Sequence, residues 1–569
     1  MELNPHQARA VAAHGHCVIL ACPGSGKTRV LSERAAHLLR GQPLGRLCAV
    51  TFTAASADEL KSRILLSCGS ANARRLAVGT FHSLAYNQLK RNIRKPPRLM
   101  SDGERLAVLR RCWKHCAPQA NFDDVVSVVD AVKSKLAEPM IPNASIEAVY
   151  REYQNILAAE GVMDFSDLLL MAVRKMQDGE IPPLPIQWLL VDEGQDMDEV
   201  QMEWILLHGR AGIYVTLVGD DDQSLYTFRH ALGYDGLRDV GFALAASEIT
   251  LPVNYRCATN ILTHAARLIG HNKNRAPKQI TAHRADDGTA DNVRAADRWD
   301  EINRLAKSIS THDNGKGWAV LARTNTILDD VEIGLLDRGI ECKRSGGKSV
   351  WDGLIGSLYL GLLRTVLDGS WTGIANAFSF CGIPPGQING HSHNTRGDCF
   401  ARLDAAISGT PDDSDEHKVL VRLRMGLAAW CGQRDKNRAT LIAHGVASFI
   451  ADYCRPRQLG LLRRLEESMA RMNGTLQQRL NVLRRKETPA ESSGSIVQIM
   501  TLHASKGLEF DNVWIIGAEE GNLPHADAKE EDERRLMYVG MTRARHRLFV
   551  SSAVEEGLES RFIDEAGLR

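Results

Sequence analysis

The sequence lacks the features that would place it in a membrane, in a disulfide-stapled secreted scaffold or among strongly basic proteins. No apolar run reaches the roughly 18 residues that a membrane-spanning helix needs, and the first residues lack a secretory signal pattern. Lysine and arginine number 70 against 69 aspartates and glutamates, which gives a formal net charge of only +1. We therefore expect a cytoplasmic protein in which any nucleic-acid surface is local.

Clustered cysteines are lacking as well. The 12 cysteines are scattered, and the nearest approach to a metal-ligand spacing is Cys112-Trp-Lys-His115-Cys116. No second pair follows it, and the segment has the pattern of an amphipathic helix, so we expect buried, reduced thiols there. Neither an iron–sulfur spacing nor a nuclease constellation is recognisable, and a nuclease activity would have to come from another polypeptide.

The 569 residues are too many for one ordinary core, and short apolar runs followed by a turn and a helical pattern indicate parallel α/β sheets. One set of runs is HCVILAC, LCAVTF, IQWLLVD and YVTLVGD; a second is WAVLART, SIVQIMTL, DNVWIIGA and HRLFVSS. Helical stretches interrupt both sets. We predict two tandem α/β cores with these limits: 1–85 and 181–250 for the first, 86–180 for its helical insertion, 251–370 and 489–569 for the second, and 371–488 for its insertion.

The stretch ACPGSGKT resembles a phosphate-binding loop, although Ala21 stands where the strict pattern has glycine. Glycines let backbone N–H groups turn onto phosphate oxygens, and the following helix presents its positive end to the anion. Ala21 falls at the end of a strand, where a small residue is needed and positive φ is not. We predict a nucleotide site formed by Gly24, Ser25, Gly26, Lys27 and Thr28, with Lys27 on the β- and γ-phosphates and Thr28 on Mg²⁺.

Acidic and amide side chains end two other buried strands. Asp192 and Glu193 follow IQWLLV, as in a Walker B element, so Asp192 is expected to hold Mg²⁺ and Glu193 to activate the attacking water. Gln223 follows YVTLVGD and suits the sensing of a γ-phosphate. Each residue alone could be an ordinary solvated strand end, but ligands of such sheets bind beyond the carboxyl ends of the strands.

In chain order, the motifs resemble those of superfamily 1 helicases of the UvrD/Rep/PcrA type. The matching strings are LNPHQARAV, ACPGSGKT, AVTFTAASADELKSRI, GTFHSLAY, VDEGQD, GDDDQSLYTFRHA, LPVNYRCATNIL, TLHASKGLEFDNVWIIGAEEGNLPH and RRLMYVGMTRARHRL. In this family the first position of the phosphate loop is commonly alanine. The resemblance implies two RecA-like cores, ATP and Mg²⁺ as cofactors, and hydrolysis at the seam between the cores.

The resemblance also implies roles for individual residues around the nucleotide. Gln7 would read adenine and Tyr255 would stack on it, with Arg29 and Glu509 as further nucleotide contacts. Arg256 and Arg543 would act as arginine fingers on the γ-phosphate, although the commoner fate of an isolated arginine is a surface ion pair.

The family's DNA-contact motifs fall on a set of mostly aromatic positions, where stacking on bases is tolerant of sequence. These positions are Phe52, Thr80, His82, Tyr226, Phe228 and His503. The family usually has Trp-Arg-Gly where this chain has Phe228-Arg229-His230, so the coupling of steps could differ here. Phe52 and Phe228 could also simply be core residues.

The implied function is an ATP-dependent single-stranded DNA translocase and helicase, 3′ to 5′ by family implication, acting in repair, replication or defence. In this family, the second insertion commonly decides whether a monomer unwinds duplex DNA, and here it is shorter than in long family members. An alternative therefore stays open: a DNA-stimulated ATPase that remodels or activates a partner, such as a nuclease, without unwinding duplex. A P-loop enzyme of small-molecule metabolism would leave both finger arginines unexplained.

Overall fold

The computed structural model describes residues 2–137, 139–226, 230–312, 317–346, 349–383, 399–472, 474–484 and 496–568. The chain forms two compact units. Unit 1 contains Met1–Thr289, Asp527–His546 and Asp564–Leu568, and unit 2 contains Ala290–Ala526, Arg547–Ile563 and Arg569. Among the residues described, no helix is long and apolar enough to span a membrane.

Unit 1 is built on a six-stranded sheet of order β3-β2-β6-β7-β1-β8 in which all neighbouring strands run parallel. Strands β1, β2 and β6 are almost entirely apolar and fully buried, as is usual for parallel strands covered by helices on both faces. The strands are β1 (Cys17–Ala21), β2 (Leu47–Thr51), β3 (Leu76–Thr80), β6 (Trp188–Val191), β7 (Tyr214–Gly219) and β8 (Ser247–Leu251).

Helices alternate with these strands along the chain, and several begin at a side-chain cap, such as Asn4 for the first helix and Thr80 for the fourth. They are α1 (Pro5–Ala12), α2 (Lys27–Gly41), α3 (Ala54–Cys68), α4 (Phe81–Asn92), α9 (Glu199–Arg210), α10 (Gly233–Ala243) and α11 (Thr259–Ile269). A small parallel pair, β9 (Val253–Asn254) and β10 (Thr281–Ala282), and a late helix, α21 (Glu530–Met541), also belong to this unit.

Between α4 and β6 the chain is almost entirely helical. This part contains β4 (Arg98–Leu99), α5 (Asp102–Cys116), α6 (Phe122–Lys133), α7 (Ala144–Glu160), β5 (Val162–Met163) and α8 (Phe165–Gln177). It has an apolar cluster of its own, in which Leu109 of α5, Val129 of α6 and Tyr153 of α7 are fully buried.

Unit 2 is built on a second six-stranded sheet of order β11-β16-β15-β12-β14-β13, in which β15, β12, β14 and β13 are parallel. Its strands are β11 (Thr289–Ala295), β12 (Trp318–Ala322), β13 (Cys342–Arg344), β14 (Val497–Thr501), β15 (Phe510–Ile516) and β16 (Ala544–Ala553). Helices α12 (Arg298–Thr311) and α13 (Asn325–Asp337) pack on it, and α22 (Arg561–Ala566) is the last helix of the chain.

A helical stretch separates β13 from β14. The helices described there are α14 (Leu354–Asp368), α15 (Trp371–Phe380), α16 (Cys399–Ser408), α17 (Asp415–Asp435), α18 (Ala439–Ala451), α19 (Pro456–Arg471) and α20 (Leu476–Arg484). The predicted fold class, two parallel-sheet α/β cores with mainly helical insertions, is therefore confirmed.

The compact units group the chain differently from the predicted domain limits. Residues 251–289 and α21, which we expected in the second core, belong to unit 1. The reason is close packing near the phosphate loop, where the Asn254 side chain donates to the carbonyl of Pro23 and Lys278 donates to the carbonyl of Ala21. The functional domain limits stay a prediction.

Candidate active site

The loop between β1 and α2 has the shape of a phosphate cradle. Gly24 and Gly26 adopt φ values of 63° and 79°, a region that glycine enters freely, whereas Ala21 does not have positive φ. A Cβ atom on Gly24 would lie 2.7 Å from the Cβ of Arg256, so no side chain fits there. The loop thus leads directly into the N-terminus of α2, which begins at Lys27.

The loop contains a polar atom that the protein does not satisfy. The Ser25 hydroxyl oxygen is buried and has no hydrogen-bond partner among the described residues. Buried polar atoms without partners are rare in native structures, and this one lies among backbone N–H groups of a glycine-rich turn. An anion bound in the loop would supply the missing partner, so the loop fits a phosphate group.

Lys27 faces the acidic ends of β6 and β7. Its ammonium lies 3.6 Å from the Glu193 carboxylate. Burial works against the charged lysine, but the carboxylates of Glu193, Asp220 and Asp192 outweigh it, so the pKa of Lys27 is raised. Lys27 therefore carries its positive charge at the mouth of the loop, where β- and γ-phosphates would bind.

Glu193 is held in a strained conformation directly after the buried Asp192. Its φ of 53° lies in the left-handed region, which costs a residue other than glycine about 1–3 kcal/mol. The Gln195 amide donates to the Glu193 carboxylate, and its oxygen accepts the backbone N–H of Asp220 at 2.9 Å. Strain held by such contacts is typical of a residue placed for chemistry.

Gln223 links the end of β7 to one of the arginines. Its amide nitrogen donates to Asp220, and its oxygen accepts a hydrogen bond from Arg543 at 2.9 Å. The amide orientation of Gln223 is therefore fixed from both sides, and its role as a γ-phosphate sensor stays a prediction.

Arg256 and Arg543 both belong to unit 1 and meet at Thr542, the residue that directly follows α21. Arg256 donates to the Thr542 carbonyl at 3.3 Å, and Arg543 donates to the Thr542 hydroxyl at 3.3 Å. Burial, and then repulsion from Arg256, lower the pKa of Arg543 to about 9, so the guanidinium is still charged at neutral pH. The half-buried Arg256 and the buried Arg543 bring two positive charges close together, an arrangement that a bound anion would stabilise.

The predicted base-binding residues lie beside the loop. Gln7 is buried, donates to the Ser25 carbonyl at 2.9 Å and accepts from the backbone N–H of Asn4 at 3.1 Å. The Asn4 amide in turn donates to the Tyr255 hydroxyl at 2.7 Å, and the Tyr255 ring lies against His283, with ring centres 4.4 Å apart. Gln7 thus helps to shape the loop, and the adenine contacts of Gln7, Tyr255 and the half-buried Arg29 stay predictions.

A buried ion cluster that the sequence analysis did not predict lies behind the loop. Lys278 is buried, and its ammonium lies 2.9 Å from Asp220, 2.6 Å from Asp221 and 3.1 Å from Asp222. Arg275 completes the cluster with two 2.8 Å hydrogen bonds to Asp222. Three consecutive acids after a buried strand were the one available signal, because such carboxylates need cations.

We expect Lys278→Met to lower the free energy of unfolding of unit 1 by about 3–5 kcal/mol, because removing one partner leaves buried carboxylates uncompensated. The matched control is Lys135→Met, whose partner Glu199 is partly exposed and whose removal should cost no more than about 1 kcal/mol. Denaturant unfolding of both variants gives the comparison. Equal midpoints for the two variants would contradict a stabilising role for Lys278.

The predicted DNA contacts of unit 1 lie beyond neighbouring strand ends. Thr51 and Thr80 are paired in register, so Phe52 and His82 follow the carboxyl ends of adjacent strands β2 and β3. Phe52 is partly buried and packs edge-on against Phe81. Thr80 caps α4, and its hydroxyl accepts a hydrogen bond from the backbone N–H of Ser83 at 3.3 Å. These positions share one edge of the sheet, as binding residues of such folds do.

His82 has an aromatic partner that sequence reasoning missed. Its ring stacks on Phe165, with centres 4.0 Å apart, and burial lowers the pKa of His82 to about 4. Phe165 is 52% exposed at the start of α8. The preceding residue, Asp164, caps α8 and accepts hydrogen bonds from the buried Lys133 and Tyr153. The two stacked rings therefore form an aromatic pair in which the imidazole is neutral at pH 7.

The remaining predicted residues have simpler surroundings. Tyr226 is half-buried, and its carbonyl accepts the N–H of Ala231 at 3.2 Å; Phe228 lies outside the described residues. His503 and Glu509 belong to unit 2, where His503 opens a short turn after β14 and Glu509 is exposed before β15.

Comparison with known proteins agrees with this arrangement. A family model described as UvrD/REP helicase N-terminal domain matches residues 3–233, and the UvrD-like helicase C-terminal domain matches residues 249–352 and 461–555. The ATP-dependent DNA helicase Rep of Escherichia coli (strain K12) is 31% identical over 96% of this chain and 90% of that protein. The ATP-dependent DNA helicase PcrA of Bacillus subtilis (strain 168) is 27% identical over 99% of this chain and 85% of that protein. DNA helicase II of Escherichia coli (strain K12) is 28% identical over 99% of this chain and 87% of that protein.

Proposed function

The chain belongs to the UvrD/Rep family of DNA helicases, and we propose that it is a single-stranded DNA translocase that unwinds duplex in the 3′ to 5′ direction. It is an ATP-hydrolysing helicase enzyme, as its family is. The observation that carries the proposal is that Lys27, Glu193 and Arg543 lie around the phosphate loop, in which the buried Ser25 hydroxyl has no hydrogen-bond partner among the described residues.

For ATP hydrolysis, each side chain has a separate task. Lys27 and the loop N–H groups bind the phosphates, and Glu193 orients and deprotonates the attacking water. Arg256 and Arg543 neutralise the negative charge that develops on the γ-phosphate. Gln223 senses the γ-phosphate and is hydrogen-bonded to Asp220. The oxygen donors Thr28 and Asp192 suit Mg²⁺, which would neutralise phosphate charge when bound.

For DNA, we propose that bases stack along the strand-end edge of unit 1, on Phe52, His82, Phe165 and Tyr226. A neutral imidazole on an exposed phenyl ring offers a face to any base. Thr80, Phe228 and His503 are the other contacts that the family resemblance implies.

We expect Phe165→Ala to weaken single-stranded DNA binding by about 5–150-fold, because a base–aromatic stack contributes about 1–3 kcal/mol. Phe242 is a matched control, since it is 91% exposed on α10, near the opposite end of the sheet. Fluorescence anisotropy with a labelled oligonucleotide at fixed salt measures both variants. If Phe242→Ala weakened binding as much as Phe165→Ala, Phe165 would not be a base contact.

A second candidate function is a DNA-stimulated ATPase that activates a partner, such as a nuclease, in repair, replication or defence. The observation that favours it is the gap in the family match, which leaves out residues 353–460 and so most of the second helical stretch. Strand displacement from duplexes with a 3′ or a 5′ tail separates the two candidates. Displacement only from the 3′-tailed duplex supports the helicase, whereas ATP hydrolysis without displacement of either supports the second candidate.

A further inference from the structure

Three side chains of different chemistry converge in the helical part of unit 1, and none of them is a proposed nucleotide or DNA contact. His115 and Cys116 are the last two residues of α5, and Glu152 lies on α7. The Cys116 sulfur lies 2.7 Å from a Glu152 oxygen, and the His115 Nδ1 atom lies 3.1 Å from the same oxygen and 3.8 Å from the sulfur. All three ligand atoms lie within 4.8 Å of one another.

We propose that His115, Cys116 and Glu152 bind a thiophilic divalent cation of the zinc class, with three protein ligands and one position open to water. Zinc takes sulfur, imidazole nitrogen and carboxylate oxygen as ligands, and sites with three protein ligands keep a fourth position for water. The exposure of His115 and the half-exposure of Cys116 and Glu152 give the cation a route of entry.

The distances fit this geometry. With bonds of about 2.3 Å to sulfur and about 2.0–2.2 Å to nitrogen and oxygen, tetrahedral angles place ligand atoms about 3.3–3.6 Å apart. The nitrogen–oxygen and nitrogen–sulfur distances of 3.1 Å and 3.8 Å are already close to this range. Only the sulfur–oxygen pair must open, by less than about 1 Å, and the Glu152 side chain is 31% exposed and able to move.

The charge of the cluster also fits a divalent cation. A thiolate and a carboxylate neutralise two positive charges, while His115 binds as a neutral ligand. Without a cation, the Cys116 thiol donates a hydrogen bond to the Glu152 carboxylate, and this contact raises the pKa of Cys116 to about 11. The other cluster of this kind in the described part of the chain, Asp220 to Asp222, already holds the ammonium of Lys278.

Bound metal would join the C-terminal end of α5 to α7. The two helices already pack together through buried residues such as Leu109, Cys112 and Tyr153. The cation would therefore stabilise an existing helix pair and is not needed to form it. Cys112 is fully buried one turn before Cys116 and takes no part in the ligand cluster.

The test is a titration of the chelator-treated, full-length protein with Co²⁺, followed by displacement with Zn²⁺. We expect one equivalent of Co²⁺ to produce a thiolate-to-metal charge-transfer band and strong visible bands of tetrahedral cobalt, both removed by Zn²⁺. Cys116→Ser should abolish the charge-transfer band. Both Cys116→Ser and His115→Ala should weaken binding by on the order of 100-fold, at least as much as losing an outer-shell partner.

Cys68→Ser is the matched control, because Cys68 is also the half-exposed last residue of a helix but is not in a ligand cluster. Its cobalt spectrum should equal that of the wild type. His115 is 77% exposed, so its alanine variant should fold normally, and thermal melting checks this. Absence of a charge-transfer band in the wild type, or its persistence in Cys116→Ser, would overturn the proposal and leave a hydrogen-bonded cluster only.

Discussion

Replacing Arg543 by alanine is expected to lower the maximal rate of ATP hydrolysis by about 10³–10⁵-fold, while the affinity for ATP changes much less. Arg543 is buried next to Arg256 and hydrogen-bonded to Gln223, so its charge is fixed in place before the reaction. A preorganised charge acts mainly on the transition state, where negative charge spreads over the transferred phosphoryl group. Steady-state hydrolysis and equilibrium nucleotide binding give the two numbers.

The control for this experiment is Arg238→Ala. Arg238 is 57% exposed on α10 and paired with surface aspartates, so its loss should leave hydrolysis and ATP affinity unchanged within about twofold. If ATP affinity of Arg543→Ala fell as far as its turnover, Arg543 would be a ground-state ligand of ATP.

Replacing Glu193 by glutamine is expected to slow ATP hydrolysis by about 10²–10⁴-fold, the usual contribution of a general base. Glutamine has the same shape and can still accept from Gln195, but it cannot take a proton from water. ATP and single-stranded DNA should both still bind, because the phosphate loop and the strand-end aromatic residues are unchanged. Single-turnover hydrolysis with prebound ATP measures the chemical step.

Glu203→Gln is the corresponding control, since Glu203 lies on α9 in an ion pair with the exposed Arg210. It should hydrolyse ATP at the wild-type rate. A rate for Glu193→Gln within about tenfold of wild type would mean that another group activates the water.

The sequence predicted those parts of the site that follow a local pattern. Each buried strand is a short apolar run, and in a parallel sheet the residues after such runs meet at one edge. The sequence pattern alone therefore predicts that Lys27, Asp192 and Gln223 lie close together. The aromatic positions after β2 and β3 could be placed beside one another for the same reason.

The remainder depends on contacts between residues far apart in the chain. Lys278 binds aspartates 56 to 58 residues earlier, and nothing in its own surroundings distinguishes it from a surface lysine. From the sequence, Phe165 is an ordinary residue at the start of a helix. Only its stacking on the ring of His82 identifies it as a candidate DNA contact. The pattern around Cys116 predicted buried thiols and not metal ligands. Cys116 is in fact half-exposed, and the packing of α7 on α5 brings Glu152 beside it.

The measurement that tests the account most directly is steady-state ATP hydrolysis with and without single-stranded DNA at fixed low salt. A motor whose phosphate site and strand-end aromatic edge act together should hydrolyse ATP much faster when DNA is bound. An intact protein that binds both ATP and DNA but hydrolyses at the same rate with or without DNA would contradict the account.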